Sequence, residues 1–497
     1  MPKAKEYSLE FNISKSLAFL PIIIFMISCI LFFVVFQVYE MEALAMGGFI
    51  AIIIGSLFAK NNTKYWDAVI KGMSSEIANT LILILFIVSF FGKMMAEAGA
   101  AEGFVWVGMQ LHLTGAVFTL FTFLVAGIIA AATGTSIGTL FAAFPLLYPA
   151  GVLLGSDPIF LAGAILSGAI MGDSIGPISD VTITSSITQK YTKKEGHADI
   201  IGMVKSRLRY VIPAALLASI LFLIFGGTGR KIDDSGYELI EQYSNPHGLI
   251  MLIPIVILLV VAVKSQNIFL ASTIGTIIGV IVAVLFGAID ISNIFMVQEG
   301  GLSGFLIDSV IGVIGTIAFV IPLFGIIGIL EESGAMNRLV SGLINSKLAA
   351  TEKGAELIIM IGATISGISL GGANGPTCMM FGPLADEIGK EKQLHPYRRG
   401  NLLSGFASSL PILIPFSSSF IIITYSNINV LVENFAFIQP INPLLIAIGT
   451  FYPAMFFIVF LYAILSGWGR RFEGENGKPI KQPEKTSIKK SEERYIN

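Results

Sequence analysis

The chain has 497 residues, of which 54% are hydrophobic and 13% are charged, whereas soluble domains have roughly 45–50% apolar and about 25% charged residues. This composition indicates an integral membrane protein, and the formal net charge of −2 gives no sign of the basic face that nucleic acid requires. The two cysteines, Cys29 and Cys378, both lie in apolar segments, which excludes a disulfide framework and zinc-ligand spacing.

Apolar runs near the roughly 20 residues that cross a bilayer recur along the chain. The first run is longer than the apolar core of a signal peptide, so it is predicted to be a membrane helix. Full spans are predicted at 17–38, 42–59, 78–95, 158–189, 209–226, 247–263, 267–288, 305–330, 400–425 and 441–466. Two further apolar pairs, 115–132 with 136–154 and 354–370 with 376–388, are each either a re-entrant hairpin or two ordinary crossings.

Loop charge orients these spans, because cytoplasmic loops are enriched in Lys and Arg. Basic residues are concentrated in the loops 190–209 and 389–399 and in the tail after Trp468. By contrast, the loop 227–246 is mainly acidic and 426–440 contains no base. The pattern predicts a multi-pass protein of the cell membrane with both termini in the cytoplasm.

Short motifs recur at offsets between 235 and 238 residues, which indicates a duplication. Leu166-Ser167-Gly168 matches Leu403-Ser404-Gly405, and Glu97-Ala98-Gly99-Ala100 matches Glu332-Ser333-Gly334-Ala335. Five full spans and one hairpin per unit would invert the second unit, as in many secondary transporters. The predicted fold is all-α and polytopic, with two inverted repeats of five transmembrane helices, each repeat with a re-entrant hairpin and a broken helix. The predicted divisions are a cytoplasmic N-terminal tail at 1–16, a first repeat at 17–226, an extracytoplasmic loop at 227–246, a second repeat at 247–466 and a basic cytoplasmic tail at 467–497.

The sequence GDSIGPISD at 172–180 places two carboxylates beside helix-breaking residues inside an apolar span. A carboxylate at bilayer depth costs roughly 2.5–3.5 kcal/mol on insertion scales, so Asp173 and Asp180 are predicted to bind an ion, with sodium the expected metal. Non-helical backbone at this depth is tolerated where it is buried in protein or lines a water-filled cavity. Helix breaks are predicted at Gly134, Gly172, Gly176, Pro177, Gly375, Pro376, Pro411 and Pro415.

Hydroxyl and amide oxygens near these breaks suit a small hard cation better than a transition metal. The further predicted ligands for the substrate or ion are Ser174, Ser179, Thr133, Thr135, Ser136, Asn374, Thr377, Ser409, Ser417 and Ser418. For any single hydroxyl the competing interpretation is a bond to a neighbouring backbone carbonyl. No Lys or Arg lies at either hairpin tip, which weakens any site that must neutralise a dicarboxylate. Lys93 and Glu97, four residues apart, are interpreted as an interfacial pair, and the four histidines as exposed titrating groups.

Nucleotide-binding and hydrolase motifs are missing from the sequence, so neither a nucleotide-driven pump nor an enzyme is predicted. A channel would need a continuous pore with rings of carbonyls or charges, whereas two inverted hairpin units favour alternating access. A channel is therefore the less favoured alternative to a transporter.

The segments GTSIGTLFAAFPLLYPAG at 134–151 and GAILSGAIMGDSIGPISD at 163–180 resemble the NhaC-type sodium/proton antiporter family of the ion transporter superfamily. The resemblance implies sodium/proton antiport, with sodium as the transported or coupling ion and no other cofactor, and a homodimer working by an elevator mechanism. Asp173, Pro177, Ser179 and Asp180 fall on the family signature. Similar proteins exchange malate for lactate or move amino acids, so a sodium- or proton-coupled organic solute exchanger is the alternative.

Overall fold

The computed structural model describes residues 9–12, 14–36, 41–177, 179–228, 240–265, 267–298, 301–335, 338 and 350–483. Most of the predicted N-terminal tail, the acidic residues Asp233, Asp234 and Glu238 of the predicted loop, and the tail from 484 onward lie outside the described residues.

The described chain is almost entirely helical. In the first half the α-helices are α1 (Leu20–Ile30), α2 (Met41–Ser56), α3 (Asn62–Met73), α4 (Glu76–Glu97), α5 (Ala100–Gln110), α6 (Gly115–Thr133), α7 (Ser136–Leu153), α8 (Pro158–Ile175), α9 (Asp180–Ile187) and α10 (Ile200–Phe225). In the second half they are α11 (Leu252–Ser265), α12 (Ile268–Leu285), α13 (Ile291–Ile294), α14 (Phe305–Glu332), α15 (Glu352–Ser369), α16 (Asn374–Glu391), α17 (Pro396–Ala407), α18 (Ser419–Asn434), α19 (Pro443–Gly449) and α20 (Phe451–Ser466).

Short segments of other structure connect these helices. Among the described residues there are 3₁₀ segments at Lys15–Phe19, Pro246–Met251, Leu410–Leu413 and Glu475–Gly477, and a π-helical segment at Leu31–Phe36. Two antiparallel pairs of strands join β1 (Met296–Gln298) to β2 (Gly301–Ser303) and β3 (Phe472–Glu473) to β4 (Pro479–Ile480).

Six of the described helical units are long and apolar enough to cross a bilayer, namely α4, α6, α7, α8 with α9, α10 and α14. The pair α19 and α20, bent by 53°, makes a seventh. Shorter apolar helices lie at Lys15–Ile30, Met41–Ser56, Pro246–Ala262 and Phe269–Leu285. The protein is therefore an all-α, multi-pass membrane protein, as the composition predicts.

The structure differs from the predicted spans at three places. α10 begins at Ile200 rather than near 209, so the basic residues of the predicted loop 190–209 partly lie on a helix. The predicted span 441–466 is broken at Thr450. α3 and α5 are additional helices of 12 and 11 residues, too short to cross a bilayer.

Glycines bring the central helices into close contact. A Cβ added at Gly168 or Gly172 of α8 would overlap backbone atoms of α6, and one at Gly163 would overlap the backbone of Gly449. Small residues let membrane helices approach closely, where dispersion contacts and interhelical hydrogen bonds hold them together. α8 is accordingly buried between α6 and the α19–α20 unit.

A buried ion cluster joins α15, α17 and the segment after α20. Glu356, which is fully buried, accepts hydrogen bonds from Arg398 at 2.7 and 3.0 Å and from Arg470 at 3.1 and 2.7 Å. Arg398 also donates to the hydroxyl of Tyr210 at 2.7 Å. A buried charge of this kind is stable only while its partners remain in place.

The interpretation of His395 as an exposed titrating group is wrong. His395 is buried, its Nδ1 accepts from the backbone N–H of Tyr397 at 3.1 Å, and its Nε2 lies 3.0 Å from the carbonyl of Gly477. Burial lowers the pKa of His395 to about 4, so the ring stays neutral at physiological pH. It holds the C-terminal segment against the start of α17.

We expect Glu356→Gln to lower the thermal stability of the purified protein. The substitution leaves the buried Arg398 without a counter-charge, and breaking a buried pair costs about 3–5 kcal/mol. Glu387→Gln, which changes an exposed glutamate on α16, is the matched control and should leave the melting temperature within 1–2 °C or so of wild type. Equal melting curves for the two variants would show that the cluster contributes little.

Candidate ion-binding site

The first break in the helices lies between α8 and α9. α8 ends at Ile175, Gly176 has extended backbone angles of φ −65° and ψ 120°, and the helix resumes at Asp180. A Cβ on Gly176 would lie 3.5 Å from the Cα of Gly134, at the tip between α6 and α7. The tip itself turns through Gly134, whose φ of 67° favours glycine. Of the other predicted breaks nearby, Gly172 lies within α8 and Pro177 within the break.

A second tip and break lie together in the other half of the chain. The tip between α15 and α16 turns through Gly371 and Gly372, with φ of 63° and 77°. The break between α17 and α18 contains Pro411 and Pro415. Its end is attached to the tip, because the N–H of Ser419 donates to the carbonyl of Gly371 at 2.7 Å. Gly375 and Pro376, predicted as breaks, lie in the first turn of α16.

Asp173 is the point at which the two halves meet. Its Oδ2 accepts a hydrogen bond from the hydroxyl of Ser136 at 2.6 Å and from the amide of Asn374 at 3.4 Å. Asn374 also donates to the hydroxyl of Ser408 at 3.3 Å. Ser136 begins α7, Asn374 begins α16, and Ser408 follows α17, so one carboxylate contacts both tips.

Three polar atoms of the predicted ligands are buried without a hydrogen-bond partner among the described residues. They are Oδ1 of Asp173 and the hydroxyls of Ser179 and Ser417. Buried polar atoms are nearly always hydrogen-bonded in proteins, so each needs an explanation. An oxygen-rich set of this kind is the chemistry that a small hard cation or a proton requires.

Asp180 has a different environment from Asp173. Its side chain is exposed, and its Oδ1 accepts from the N–H of Val181 at 2.7 Å. A Cβ on Gly375 would lie 2.8 Å from the Asp180 carboxyl carbon, so this glycine allows the carboxylate to rest against the start of α16. The two acids thus differ, with Asp173 enclosed and Asp180 open to solvent.

Most of the remaining predicted ligands have local structural partners. The hydroxyls of Thr133, Ser174, Thr377 and Ser409 donate to the carbonyls of Ile129 at 2.9 Å, Ile170 at 2.8 Å, Ala373 at 2.6 Å and Phe406 at 3.0 Å. Thr135 and Ser418 accept from first-turn N–H groups of α7 and α18 at 3.2 and 3.4 Å. The competing interpretation of a bond to a backbone carbonyl therefore describes the first four hydroxyls, whereas Thr135 and Ser418 cap the starts of helices.

A basic side chain lies at the α8–α9 break, although neither hairpin tip contains a Lys or Arg. Arg207 of α10 is fully buried, and it donates to the carbonyl of Ser174 at 2.9 Å and the hydroxyl of Thr182 at 3.0 Å. It also donates to the hydroxyl of Ser185 at 2.9 Å and to Oδ1 of Asn401 at 3.0 Å. One guanidinium thus ties both sides of the α8–α9 break to α17.

Arg207 was missed because its charge was counted with the loop 190–209. The signal was present in the spacing, since Arg207 lies on the buried stripe of α10 with Met203, Tyr210, Val211 and Ala214. Residues three or four positions apart share one helix face. A base on such a stripe must be paired to remain buried.

We expect Arg207→Lys to reduce the affinity for the transported cation by several-fold and to lower the melting temperature. A lysine keeps the charge but cannot reproduce the fork of hydrogen bonds to both sides of the break. Binding can be measured by sodium titration of purified protein, with Lys205→Gln, an exposed position on the same helix, as control. Unchanged sodium affinity in a folded Arg207→Lys protein would contradict the positioning role.

A cavity of about 670 Å³ connects this region to the surface. It extends from Ser75 and Glu76 at the start of α4 to Asp180 and Asn374. Asn374 thus contacts Asp173 on one side and lines the cavity on the other.

Comparison with known proteins identifies the chain's relatives. Residues 8–226 match the family model described as Na+/H+ antiporter family. The match covers less than half of the chain, and over these residues the chain is similar to the Na+/H+ antiporter family. The resemblance expected from the motif at 172–180 is confirmed, and the family is one of transporters.

Three relatives illustrate the similarity. The chain is 29% identical over 314 residues to the malate-2H(+)/Na(+)-lactate antiporter of Bacillus subtilis, which covers 60% of this chain and 65% of that protein. It is 22% identical over 433 residues to an uncharacterized Na(+)/H(+) antiporter of Haemophilus influenzae, covering 81% and 88%. It is 22% identical over 314 residues to the Na(+)/H(+) antiporter NhaC of Alkalihalophilus pseudofirmus, covering 59% and 65%.

Proposed function

We propose that the protein is a sodium/proton antiporter of the cell membrane in which Asp173 alternately binds a proton and a sodium ion. The observation that carries this proposal is the buried Asp173 carboxylate, which contacts both tips and keeps one oxygen unpaired among the described residues. The match to the Na+/H+ antiporter family model over residues 8–226 supports it. Competition of two cations for one carboxylate couples their fluxes without a separate gate.

The site residues have distinct roles in this proposal. Asp173 with Ser136, Ser179 and Ser417 supplies oxygens for the dehydrated ion, because Ser136 bonds to the Asp173 carboxylate and the hydroxyls of Ser179 and Ser417 are unpaired among the described residues. Asp180, exposed on the cavity, receives the ion from the cytoplasmic side. Asn374 holds the second tip against Asp173. When the ion binds to Asp173, it either displaces the amide of Asn374 or binds beside it.

The architecture we propose is a pair of inverted repeats, at 17–226 and 247–466, each with a re-entrant hairpin. In both halves a glycine-containing tip packs on a break in a helix, α6–α7 on α8–α9 and α15–α16 on α17–α18. Asp173 lies at the middle of the 30-residue unit Pro158–Ile187. Since both tips bond to Asp173, hairpins that end at mid-bilayer explain the contacts better than full crossings.

An ion pair joins the ends of α4 and α18, on the opposite side of the membrane from the cavity. It supports a closed pathway on that side. Lys93, near the end of α4, is buried and donates to Glu433 at 2.5 Å and to Asn434 at 3.3 Å, both at the end of α18. The interpretation of Lys93 as the partner of Glu97 is therefore wrong. The starts of the same two helices, at Glu76 and Ser419, line the cavity. α4 and α18 are thus joined at one end and separated at the other, as alternating access requires.

Both termini are proposed to be cytoplasmic, with the loop 227–246 outside and the tail 467–497 inside. A homodimer working by an elevator movement is the assembly that the family resemblance favours. The lipid bilayer, sodium and protons are then the partners of this chain.

The second candidate function is a sodium- or proton-coupled exchanger of organic solutes. The similarity to a malate-2H(+)/Na(+)-lactate antiporter favours it, as does a cavity of about 670 Å³. A dicarboxylate would need free basic groups, however, and Arg207 already makes four hydrogen bonds within the protein. Sodium/proton exchange in liposomes without any organic solute would distinguish the first function from the second.

We expect Asp173→Asn to abolish sodium-dependent proton movement in proteoliposomes while the protein stays folded. An amide keeps the shape of the side chain but cannot exchange a proton. Ser174→Ala is the matched control at the next residue, because its hydroxyl donates to the carbonyl of Ile170 in its own helix, and it should retain nearly full activity. Wild-type exchange in Asp173→Asn would remove this carboxylate from the mechanism.

The inverted topology predicts that Glu195→Cys is labelled only from the cytoplasm and Gln439→Cys only from outside. Both positions are exposed, whereas the two native cysteines are buried. Positive-inside bias and repeat inversion independently require opposite sides. Impermeant maleimide applied to intact cells and to inverted vesicles measures this, and labelling of both positions from one face would rule out the inverted arrangement.

A further inference from the structure

The cavity beside Asp180 is larger and more apolar than a sodium path needs. Its walls are formed mainly by hydrophobic side chains of α4, α16 and the start of α18. The apolar lining includes Leu81, Ile84, Met379, Met380 and Phe420. A dehydrated inorganic cation gains nothing from such walls, whereas a hydrocarbon chain does.

The charge of the cavity selects cations. The charged residues that line it in the described chain are Glu76 and Asp180, and both are exposed. No Lys, Arg or His is among its described lining residues. An apolar cavity with carboxylates at its surface complements a molecule with a cationic group and an apolar tail.

Three backbone N–H groups at the helix starts beside this cavity already have partners. Although helices begin at its wall, the N–H of Gly375 donates to Oδ1 of Asn374 at 3.0 Å and the N–H of Ser419 to the carbonyl of Gly371 at 2.7 Å. The N–H of Ala78 donates to the hydroxyl of Ser75 at 3.3 Å. These occupied donors favour a simple ammonium ion over an amino acid.

We propose that this cavity binds small primary alkylammonium ions in competition with sodium. The ammonium group pairs with Asp180, and the alkyl chain lies along Leu81, Met380 and Phe420. The competition with sodium rests on the proposed function, whereas the binding of the amine rests only on the cavity. A bound amine would occupy the space between the starts of α4 and α18.

The test measures binding of methyl-, butyl- and hexylammonium to the full-length protein in nanodiscs, by calorimetry, with empty nanodiscs subtracted. Affinity should rise about two- to fourfold per methylene, because each buried CH₂ adds up to about 0.8 kcal/mol. Hexanol, hexanoate and 6-aminohexanoate test the charge requirement and should bind at least tenfold more weakly than hexylammonium. Sodium should raise the apparent Kd of hexylammonium in a competitive manner.

Three variants separate the parts of the proposed site. Met380→Ala should weaken hexylammonium several-fold and leave methylammonium unchanged, because it shortens only the wall along the tail. Met46→Ala, at an equally exposed methionine outside the cavity lining, is the matched control and should change neither. Asp180→Asn should weaken every amine of the series by a similar factor.

The outcomes distinguish this inference from the proposed function. Amine binding that fails to grow with chain length, or is insensitive to Met380→Ala and Asp180→Asn, would overturn the inference even if sodium/proton exchange is normal. Length-dependent binding without sodium/proton exchange would uphold the amine site and refute the proposed function. Stronger binding of 6-aminohexanoate than of hexylammonium would identify a site for zwitterions and overturn the proposal as stated.

Discussion

The cost of burying the Asp173 carboxylate is the constraint on which the rest of the structure depends. An isolated carboxylate in an apolar interior costs far more free energy than one hydrogen bond recovers, so it requires partners from several elements. Ser136 and Asn374 supply them from the two tips. The two halves of the chain are therefore joined at the carboxylate that is proposed to bind the ion, and any change in its charge alters the contact between them.

Breaking a helix at this depth creates a second requirement, because the freed backbone groups need partners where water is scarce. Arg207 meets it by binding the carbonyl of Ser174 before the break and the hydroxyls of Thr182 and Ser185 after it. Ser174, whose carbonyl accepts from Arg207, is the residue next to Asp173 along the chain. Arg207 thus holds the two sides of the break in place, and Asn374 connects the break to the other tip.

The sequence predicted the helical class, the segments around 172–180 and the pairing of tips with breaks, because insertion cost and glycine positions are local properties. It could not distinguish Ser136 from Thr133 or Ser174, since all three are hydroxyls beside a break. They differ in the direction of the hydroxyl: those of Thr133 and Ser174 donate to a carbonyl of their own helix, whereas that of Ser136 donates to Asp173 of α8. The partner of Lys93 could not be predicted from the sequence either. Glu433 lies 340 residues away along the chain, whereas helical spacing suggested only Glu97.

Asp173 and Asp180 carry the same carboxylate group, and their environments differ because the helix is broken between them. Asp173 lies in the last turn of α8 and faces protein, whereas Asp180 begins α9 and faces the cavity. The break between them therefore places one carboxylate at the cavity, where it is proposed to receive cations, and the other within the protein, where it is proposed to bind them. A continuous helix would place residues seven apart on nearly the same face, and both acids would then share one environment. The extended backbone at Gly176 is what allows a single motif to place one carboxylate at the cavity and the other in the protein interior.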